Sequence, residues 1–373
     1  MSQTTSASIV DRIRGRLEGP NTIGNSKPFW IGFVVVFLAF VAFPLLTDPY
    51  TARQSSRYFA LTFLGLSLCF VWGYSGILSF GQVAFFGVAA YTFGIIGINF
   101  SSATGIGAAL IGAVAVGTLF AAILGYFMFY GGVRDVYVTI LTLVVALVLH
   151  TFMAQTAGSE WAVGDARLGG FNGMTNIPDL TLGIGASGFV IDGIELYYAL
   201  LFGLLATYLG LRVLVNSRFG MTMVAVREDE ERTATFGYDI AFVKLVVFTI
   251  GGALAAVGGV FYASWGNYAD PSLFGIAFAA LPVIWVSIGG RESLLGALGA
   301  TFVIERLRTS LSGGVGGVLG PEWALVIVGG LLLVVIMFMP AGVAPTLDQL
   351  IREQINQRTG QSPSPAATEE ASD

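Results

Sequence analysis

Charged side chains are scarce in this sequence. Of its 373 residues, 18 are Lys or Arg and 23 are Asp or Glu, so charged residues make up 11% of the chain, against about 25% in soluble globular proteins. Hydrophobic residues reach 55%, and the mean hydropathy is +0.79. Because so few polar side chains could not cover a water-exposed surface, we expect the lipid bilayer to be the main solvent of the chain.

Cysteine and histidine are almost absent. The sequence contains one cysteine, Cys69, and one histidine, His150. A disulfide within the chain needs two cysteines, and protein zinc sites draw on several His and Cys ligands. The counts therefore exclude a disulfide framework and argue against a metal centre. We interpret His150 as a packed or interfacial side chain.

Catalytic motifs are missing as well. A phosphate-binding loop needs a glycine-rich turn followed by Lys and Ser or Thr, and neither of the two lysines, Lys27 and Lys244, has that setting. An intramembrane hydrolase needs a nucleophile with a base, or a zinc motif, and the single His150 beside Thr151 supplies neither. We therefore expect no enzyme activity, no ATPase site and no cofactor on this chain.

The candidate membrane spans hold very few charges. Pumps driven by protons or ions usually bury carboxylates or basic residues inside their spans. The nearest examples here are Glu305, Arg306 and Arg308, which we interpret as a helix end with local pairing. A passage without internal charges suits a neutral or zwitterionic solute, with energy supplied by another subunit.

Long apolar runs predict an all-α, polytopic integral membrane protein with about 8–10 transmembrane helices. The chain from Arg57 to Arg134 has no charged residue in between, and at about 20 residues per crossing this gap holds three helices. The last two interior runs are short enough for re-entrant or broken helices. The predicted spans are 29–46, 58–78, 83–98, 106–130, 136–154, 196–215, 242–264, 274–288, 294–304 and 323–339.

The few basic residues indicate which loops face the cytoplasm. Positively charged loops stay on the cytoplasmic side, and five basic residues surround the loop 216–242, whereas 155–195 holds one arginine against five acidic residues. We therefore predict that 155–195 is an outer loop and that 216–242 is cytoplasmic. Counting ten crossings places both termini in the cytoplasm.

The two ends of the chain differ in composition from the transmembrane domain, which we place at 29–344. In the cytoplasmic segment 1–28, apolar residues recur at helical spacing from Ile9 to Leu17, a pattern typical either of an amphipathic helix on the inner leaflet or of a frayed terminus. The polar segment 345–373 is predicted to be a disordered cytoplasmic tail.

Polar and small residues interrupt the longest uncharged region at 75–87. Non-helical backbone at membrane depth is tolerated only where protein or water satisfies its polar groups. One interpretation is a broken or re-entrant helix that faces a translocation path. The other is a simple loop between two hairpin helices, with a serine capping the second. The candidate path residues are Ser75, Ser79, Gly81, Gln82 and Gly87.

The cytoplasmic loop carries alternating blocks of charge on a predicted helix. A glycine at its end supplies a stop signal for that helix. The helix is interpreted either as a solvated surface or as a docking helix for an intracellular motor subunit. The candidate coupling residues are Arg227, Glu228, Glu231, Arg232 and Gly237.

Three segments together resemble the permease family of ATP-binding-cassette importers for branched-chain amino acids, urea and short amides. They occur in the family's order, and the likeness extends over about 55–345, closest to the second, M-type permease. The segments are GYSGILSFGQVAFFGVAAY at 73–91, AVREDEERTATFGY at 225–238 continued by KLVVF at 244–248, and GGRESLLGALG at 289–299. The sequence departs from the family pattern at Gln82, where His is common, and at Arg291-Glu292, where uncharged residues are commoner.

This resemblance implies a set of partners and a function. The partners would be a homologous permease, two cytoplasmic subunits that bind ATP and Mg, and an extracytoplasmic solute-binding protein, in the inner membrane of a prokaryote and without nucleic acid. The loop 218–238 would carry the coupling helix. The solutes would be leucine, isoleucine and valine. Urea or short amides remain an alternative, as does a stand-alone passive channel for a small neutral solute.

Overall fold

The computed structural model describes residues 15, 17–134, 136–184, 187–312 and 322–350. Most of these residues are helical. The helices are α1 (Lys27–Leu46), α2 (Pro49–Leu68), α3 (Gln82–Asn99), α4 (Ala103–Tyr130), α5 (Val136–Gln155), α6 (Gly193–Val215), α7 (Arg218–Glu228), α8 (Glu230–Thr235), α9 (Ile240–Gly266), α10 (Ile276–Gly289), α11 (Leu294–Ser312), α12 (Glu322–Phe338) and α13 (Val343–Leu350). A π-helical turn, Cys69–Gly73, extends α2.

Polar residues just before the apolar runs set the starts of several helices. The carboxylate of Asp48 accepts a hydrogen bond from the Thr51 amide at 2.9 Å, and Ser102 does the same for the Gly105 amide at 3.1 Å. Each bond satisfies an amide that has no partner within its helix. The hydrogen bond from the Thr51 hydroxyl, together with the one from the Thr51 amide, lowers the pKa of Asp48.

The prediction of an all-α polytopic membrane protein is confirmed. Within the described ranges, seven helices are long and apolar enough to cross a membrane, and an eighth is added if α12 and α13, bent by 41° at a short break, form one span. The seven are α1, α2 with its π turn, α3, α4, α5, α6 and α9. Helix α10 has only 14 residues, in keeping with the short run seen in the sequence.

Helix α2 lies at the centre of the bundle and packs against α9, α6, α11 and α10. Almost all its residues from Tyr58 onward are buried. Helix α9 approaches its neighbours closely through glycines, since a Cβ at Gly259 would collide with the backbone of Phe86 in α3. Small residues permit this kind of close backbone contact between membrane helices. In contrast, α1 is mostly exposed on the outside of the bundle.

The predicted outer loop contains short strands, which the sequence analysis did not predict. Strands β1 and β2 form one antiparallel pair, β4 and β5 form another, and β3 pairs with β6, which follows α9. These ladders satisfy backbone groups of a segment whose described residues between α5 and α6 form a 3-10 turn, Gly170–Asn172, but no α-helix. The strands are β1 (Ala162–Val163), β2 (Ala166–Arg167), β3 (Met174–Thr175), β4 (Leu180–Ile184), β5 (Ser187–Ile191) and β6 (Tyr268–Ala269).

The two predicted loops lie at opposite ends of the bundle, joined by the 23 residues of α6. At one end, the Tyr130 hydroxyl lies 3.5 Å from a carboxylate oxygen of Asp239, just before α9. At the other end, the side chain of Asn99 donates to the carbonyl oxygen of Val163 at 2.7 Å. The structure thus separates 155–195 from the α7–α8 segment in space.

The predicted start of the tail, at residue 345, is too early, because the helix α13 continues to Leu350. Residues 345–350 belong to α13, and Pro345 lies within the first turn of that helix, where proline is tolerated. A Cβ at Gly290 would meet the ring of Pro345, so the missing side chain lets α13 approach the turn between α10 and α11. The predictions for 351–373, and for the amphipathic helix from Ile9, fall mainly outside the described residues.

Candidate functional site

The candidate path residues lie where α2 ends and α3 begins. Residues 76–80 have no helical structure, so this stretch connects two helices rather than interrupting one, as in the simpler of the two interpretations. The predicted serine cap of this second helix is wrong, because the residue before α3 is Gly81. The amide of Gly81 donates to Ser79 Oγ at 3.0 Å. Ser75 donates to the carbonyl oxygen of Val71 at 2.6 Å. Both serines are buried.

Gln82, the first residue of α3, is buried between α2 and α9. Its Oε1 lies 2.7 Å from the hydroxyl oxygen of Ser67, and that hydroxyl lies 2.7 Å from the carbonyl oxygen of Gly251. One hydroxyl hydrogen can serve only one of these two acceptors at a time. The Nε2 of Gln82 is buried without a hydrogen-bond partner. The start of α3 therefore holds an amide with unused donors.

Gly87 lies one and a half turns further along α3. A Cβ there would collide with the ring of Phe274, which stacks on Tyr91 with ring centres 5.9 Å apart. The structure thus gives Gly87 a packing role. It brings Ser79, Gly81 and Gln82 together at the start of α3, whereas Ser75 lies just after the π turn and donates to Val71.

The coupling segment consists of two helices rather than the single helix predicted from the charge pattern. The break falls at Asp229, whose backbone is extended, with φ −160° and ψ 102°. Its side chain accepts from the Arg232 amide at 2.8 Å and so caps α8. An aspartate within a charge run is a helix-start signal that the sequence analysis missed. Gly237 ends α8 with a positive φ of 87°, as predicted.

The five candidate coupling residues do not share one environment. The side chains of Glu228, Glu231 and Arg232 are exposed, as is Gly237. The Arg227 side chain is only 20% exposed and faces its own chain. Four of the five residues therefore present a surface, and Arg227 is turned inward.

Arg227 connects three parts of the chain. Its Nη1 donates to the carbonyl oxygen of Gly73, at the end of the π turn, at 2.6 Å, and lies 3.1 Å from Oε1 of Glu292. Its Nε and Nη2 both donate to Oε1 of Glu228, at 3.0 and 2.6 Å. Gly76 packs against the Arg227 stem with a positive φ of 75°. Guanidinium geometry allows one side chain to hold all these acceptors.

The turn between α10 and α11 is packed against the same π turn. The Tyr74 hydroxyl donates to the carbonyl oxygen of Glu292 at 3.1 Å, and Cys69 Sγ lies 3.3 Å from the carbonyl oxygen of Arg291. A Cβ at Gly73 would collide with that same carbonyl oxygen.

Two cavities lie beside Arg227 at this end of the bundle. The larger, about 660 Å³, is bounded by the ends of α2 and α7, the α10–α11 turn and α13. The smaller, about 290 Å³, is lined by Ser75, Thr139, Glu230 and Lys244 among others. Both cavities therefore lie next to the α7–α8 segment.

A buried arginine, Arg212, anchors the chain before α1. It lies in the last turn of α6 with no exposed surface. Its Nη2 donates to the carbonyl oxygen of Gly24 at 2.8 Å and to Oδ1 of Asn25 at 2.9 Å, and its guanidinium lies 4.9 Å from the ring centre of Trp30. Arg212 is one of the five basic residues that indicate the orientation of the loop 216–242, and an arginine at the end of an apolar run was also a signal for such a contact.

The same contact surface continues to the start of the coupling segment. We call residues 17–25 the N-terminal strap. Within it, the backbone amide of Asn21 donates to Oδ1 of Asn216 at 3.1 Å. The side-chain Nδ2 of Asn21 donates to the carbonyl oxygen of Val215 at 2.8 Å. Asn216 Nδ2 in turn donates to Thr22. The strap thus fixes the residues that lead from α6 into α7.

Glu305 and Arg308 form the local pair predicted from the sequence, at 2.9 Å. The predicted helix end is wrong, because α11 continues to Ser312 and the Glu305 side chain is fully buried. Its Oε1 has no hydrogen-bond partner. The Nδ1 of His150 lies 2.7 Å from the carbonyl oxygen of Pro271, and the side chain is partly buried, in keeping with the packed position predicted for it.

Metal binding finds no support in the described part of the chain. No group of three or more His, Cys, Asp or Glu side chains lies close enough there to hold an ion.

Comparison with known proteins decides the family. Residues 51–336 match the family described as branched-chain amino acid transport system / permease component. The chain belongs to this family of permease components. The match covers the helices from α2 to α12 and includes both the start of α3 and the α7–α8 segment.

Curated relatives of this permease component agree with the assignment. The high-affinity branched-chain amino acid transport system permease protein LivM of Escherichia coli is 24% identical over 91% of this chain and 80% of its own length. The probable branched-chain amino acid transport permease protein LivM of Methanocaldococcus jannaschii is 28% identical, over 48% of this chain and 53% of its own length. No solved structure matches the chain.

Proposed function

We propose that this chain is the membrane-embedded permease subunit of an importer for branched-chain amino acids, powered by ATP hydrolysis on other subunits. The observation that carries the proposal is the match over 51–336 to a permease component of branched-chain amino acid transport. The partners would be a homologous permease, two ATP-binding subunits and an extracytoplasmic solute-binding protein. The bilayer surrounds the pair of permeases.

The proposed orientation places the α7–α8 segment in the cytoplasm. It rests on the basic residues around that segment and on the mainly acidic 155–195 at the other end of the bundle. With an even number of crossings, both termini are cytoplasmic. The exposed charges of Glu228, Glu231 and Arg232 are then available to the ATP-binding subunits, and Gly237 shapes the turn that follows them.

The proposed mechanism is alternating access. ATP can change the conformation of the permeases only through its different affinity for the two states of the motor subunits, whose movement reaches this chain at α7 and α8. The passage would run past Ser75, just after the π turn, and past Ser79, Gly81 and Gln82, at the start of α3. Support for this location comes from the unused donors of Gln82.

The solute is proposed to be leucine, isoleucine or valine. The relatives in Escherichia coli and Salmonella typhimurium are both named for branched-chain amino acid transport. These names favour amino acids over urea or short amides, which the sequence left as an alternative. Within such an importer, a neutral passage would suit a zwitterion with an apolar side chain.

Reconstitution in liposomes tests the proposal. The full set of subunits should take up radiolabelled leucine only with ATP, and an excess of isoleucine or valine, but not urea, should compete. The permeases without the ATP-binding subunits should show no uptake. Uptake that is equal without ATP, or with this chain alone, would instead establish a passive channel.

A further inference from the structure

The end of α2 departs from regular α-helix at a position that contacts both the α10–α11 turn and α7. Residues Cys69–Gly73 form a π-helical turn, a rare geometry that is enriched at functional sites. On one side, the carbonyl oxygens of Arg291 and Glu292 face Cys69 and Tyr74. On the other side, Arg227 of α7 donates to the carbonyl oxygen of Gly73 at 2.6 Å.

Arg227 is the coupling-segment residue suited to transmit movement into the bundle. Its Nη1 is shared between Gly73 and Glu292, which lies 3.1 Å away. A displacement of α7 would therefore pull on the π turn and on the α10–α11 turn together. A lysine would keep the charge but not the planar array of donors that reaches Gly73, Glu228 and Glu292 at once.

The position of α2 makes such a movement consequential. This helix is buried along almost its full length and packs on four other helices. The hydrogen bonds of a π turn run from residue i to i+5 rather than i to i+4, so the turn accommodates one extra residue within the helix. Conversion of the turn to α-helix would therefore change the register of the residues beyond it. Packed helices shift between discrete arrangements rather than deforming continuously.

We propose that Arg227 is a positioning residue that transmits movement of the α7–α8 segment to the π turn Cys69–Gly73 and through it to α2. The proposal rests on the proposed function, since the movement is supplied by the ATP-binding subunits. Arg227 acts inside the chain, and the exposed charges of Glu231 and Arg232 contact the motor.

The lone cysteine of the chain reports on the π turn. Cys69 is fully buried there, and no second cysteine competes for a thiol reagent within this chain. In the complete assembled transporter, alkylation of Cys69 by N-ethylmaleimide is measured by mass spectrometry with and without trapped ATP. Hydrogen exchange of the peptide covering 69–76 is followed in the same two states as a second probe of the same movement.

The variants are Arg227→Lys and Arg227→Ala, with Arg134→Ala as the matched control. Arg134 lies at the same end of the bundle, between α4 and α5 and outside the α7–α8 segment, and its side chain is exposed. In the wild type and in the control, ATP should change the Cys69 alkylation rate or the exchange of 69–76. In both Arg227 variants this response should be lost, and uptake per ATP hydrolysed should fall about tenfold or more, while the motor subunits remain bound.

Two results would overturn the proposal. One is a wild type in which neither probe responds to ATP although uptake is ATP-driven. The other is an Arg227→Lys variant that keeps the full response and full coupling. A wild-type assembly without any ATP-driven uptake would instead refute the proposed function, so the two failures are distinguishable.

Discussion

Lys244, near the start of α9, forms an ion pair with Glu230, the first residue of α8. The Lys244 side chain is 8% exposed and that of Glu230 is 35% exposed. If the carboxylate is removed, the buried ammonium has little water to replace it. If the ammonium is removed, the carboxylate can hydrate.

The first prediction follows from that asymmetry. Glu230→Gln should lower the free energy of unfolding by about 2 kcal/mol. This loss is smaller than for breaking a fully buried pair, because the carboxylate is partly hydrated. Lys244→Met should lower the free energy of unfolding by less than about 1 kcal/mol. Thermal unfolding of the purified chain in detergent measures both. Equal losses, or a larger loss for Lys244→Met, would show that the lysine stem rather than the pair stabilises this end of α9.

The second prediction concerns Arg212 and the N-terminal strap. Arg212→Lys keeps the charge, but it loses the several directed hydrogen bonds and the stacking on Trp30, and we expect a stability loss of about 2 kcal/mol or more. The strap should then be cut faster by protease in the folded protein. The matched control is Arg218→Lys, which should leave both measurements unchanged because its side chain is exposed. An unchanged cleavage rate in Arg212→Lys would contradict the prediction.

Much of the fold could be predicted from the sequence because burial in lipid leaves a strong pattern. Apolar runs located the long helices, and the distribution of arginines separated two loops that the structure places at opposite ends. The short strands were harder to predict. They are held by hydrogen bonds between segments, and β3 pairs with β6, which lies beyond α9. Such pairs leave no local periodicity in the sequence.

The candidate site was predictable by segment but not by side chain. Composition identified 75–87 and 218–238, and in the structure Gly76 of the first segment packs against Arg227 of the second. Which residue faces inward depends on helix register after the break at Asp229, so Arg227 could not be told from Arg232 in the sequence. The burial of Glu305 likewise depends on α11 extending past the apolar run and packing on α2 and α10.

The third prediction compares two helical glycines. A Cβ at Gly259 of α9 would collide with the Phe86 backbone, while one at Gly107 of α4 would meet nothing within 4 Å. Gly259→Ala should therefore force α9 and α3 apart and cost about 1–3 kcal/mol. Gly107→Ala should stabilise the chain slightly, because alanine has the higher helix propensity. Thermal unfolding decides, and a neutral Gly259→Ala would mean that the two helices separate without loss.

The fourth prediction concerns Gln82 and the proposed passage. Gln82→Leu removes a buried amide whose Nε2 has no partner, so stability should change by less than about 1 kcal/mol. If the passage runs past the start of α3, ATP-driven leucine uptake should nevertheless fall severalfold, because a polar group in the path is lost. Thr62→Val is the control: this buried α2 hydroxyl donates to the carbonyl oxygen of Tyr58 within its own helix, and its loss should leave uptake unchanged. Full uptake by Gln82→Leu would place the passage elsewhere, and a large loss of stability would show that the amide serves packing rather than transport.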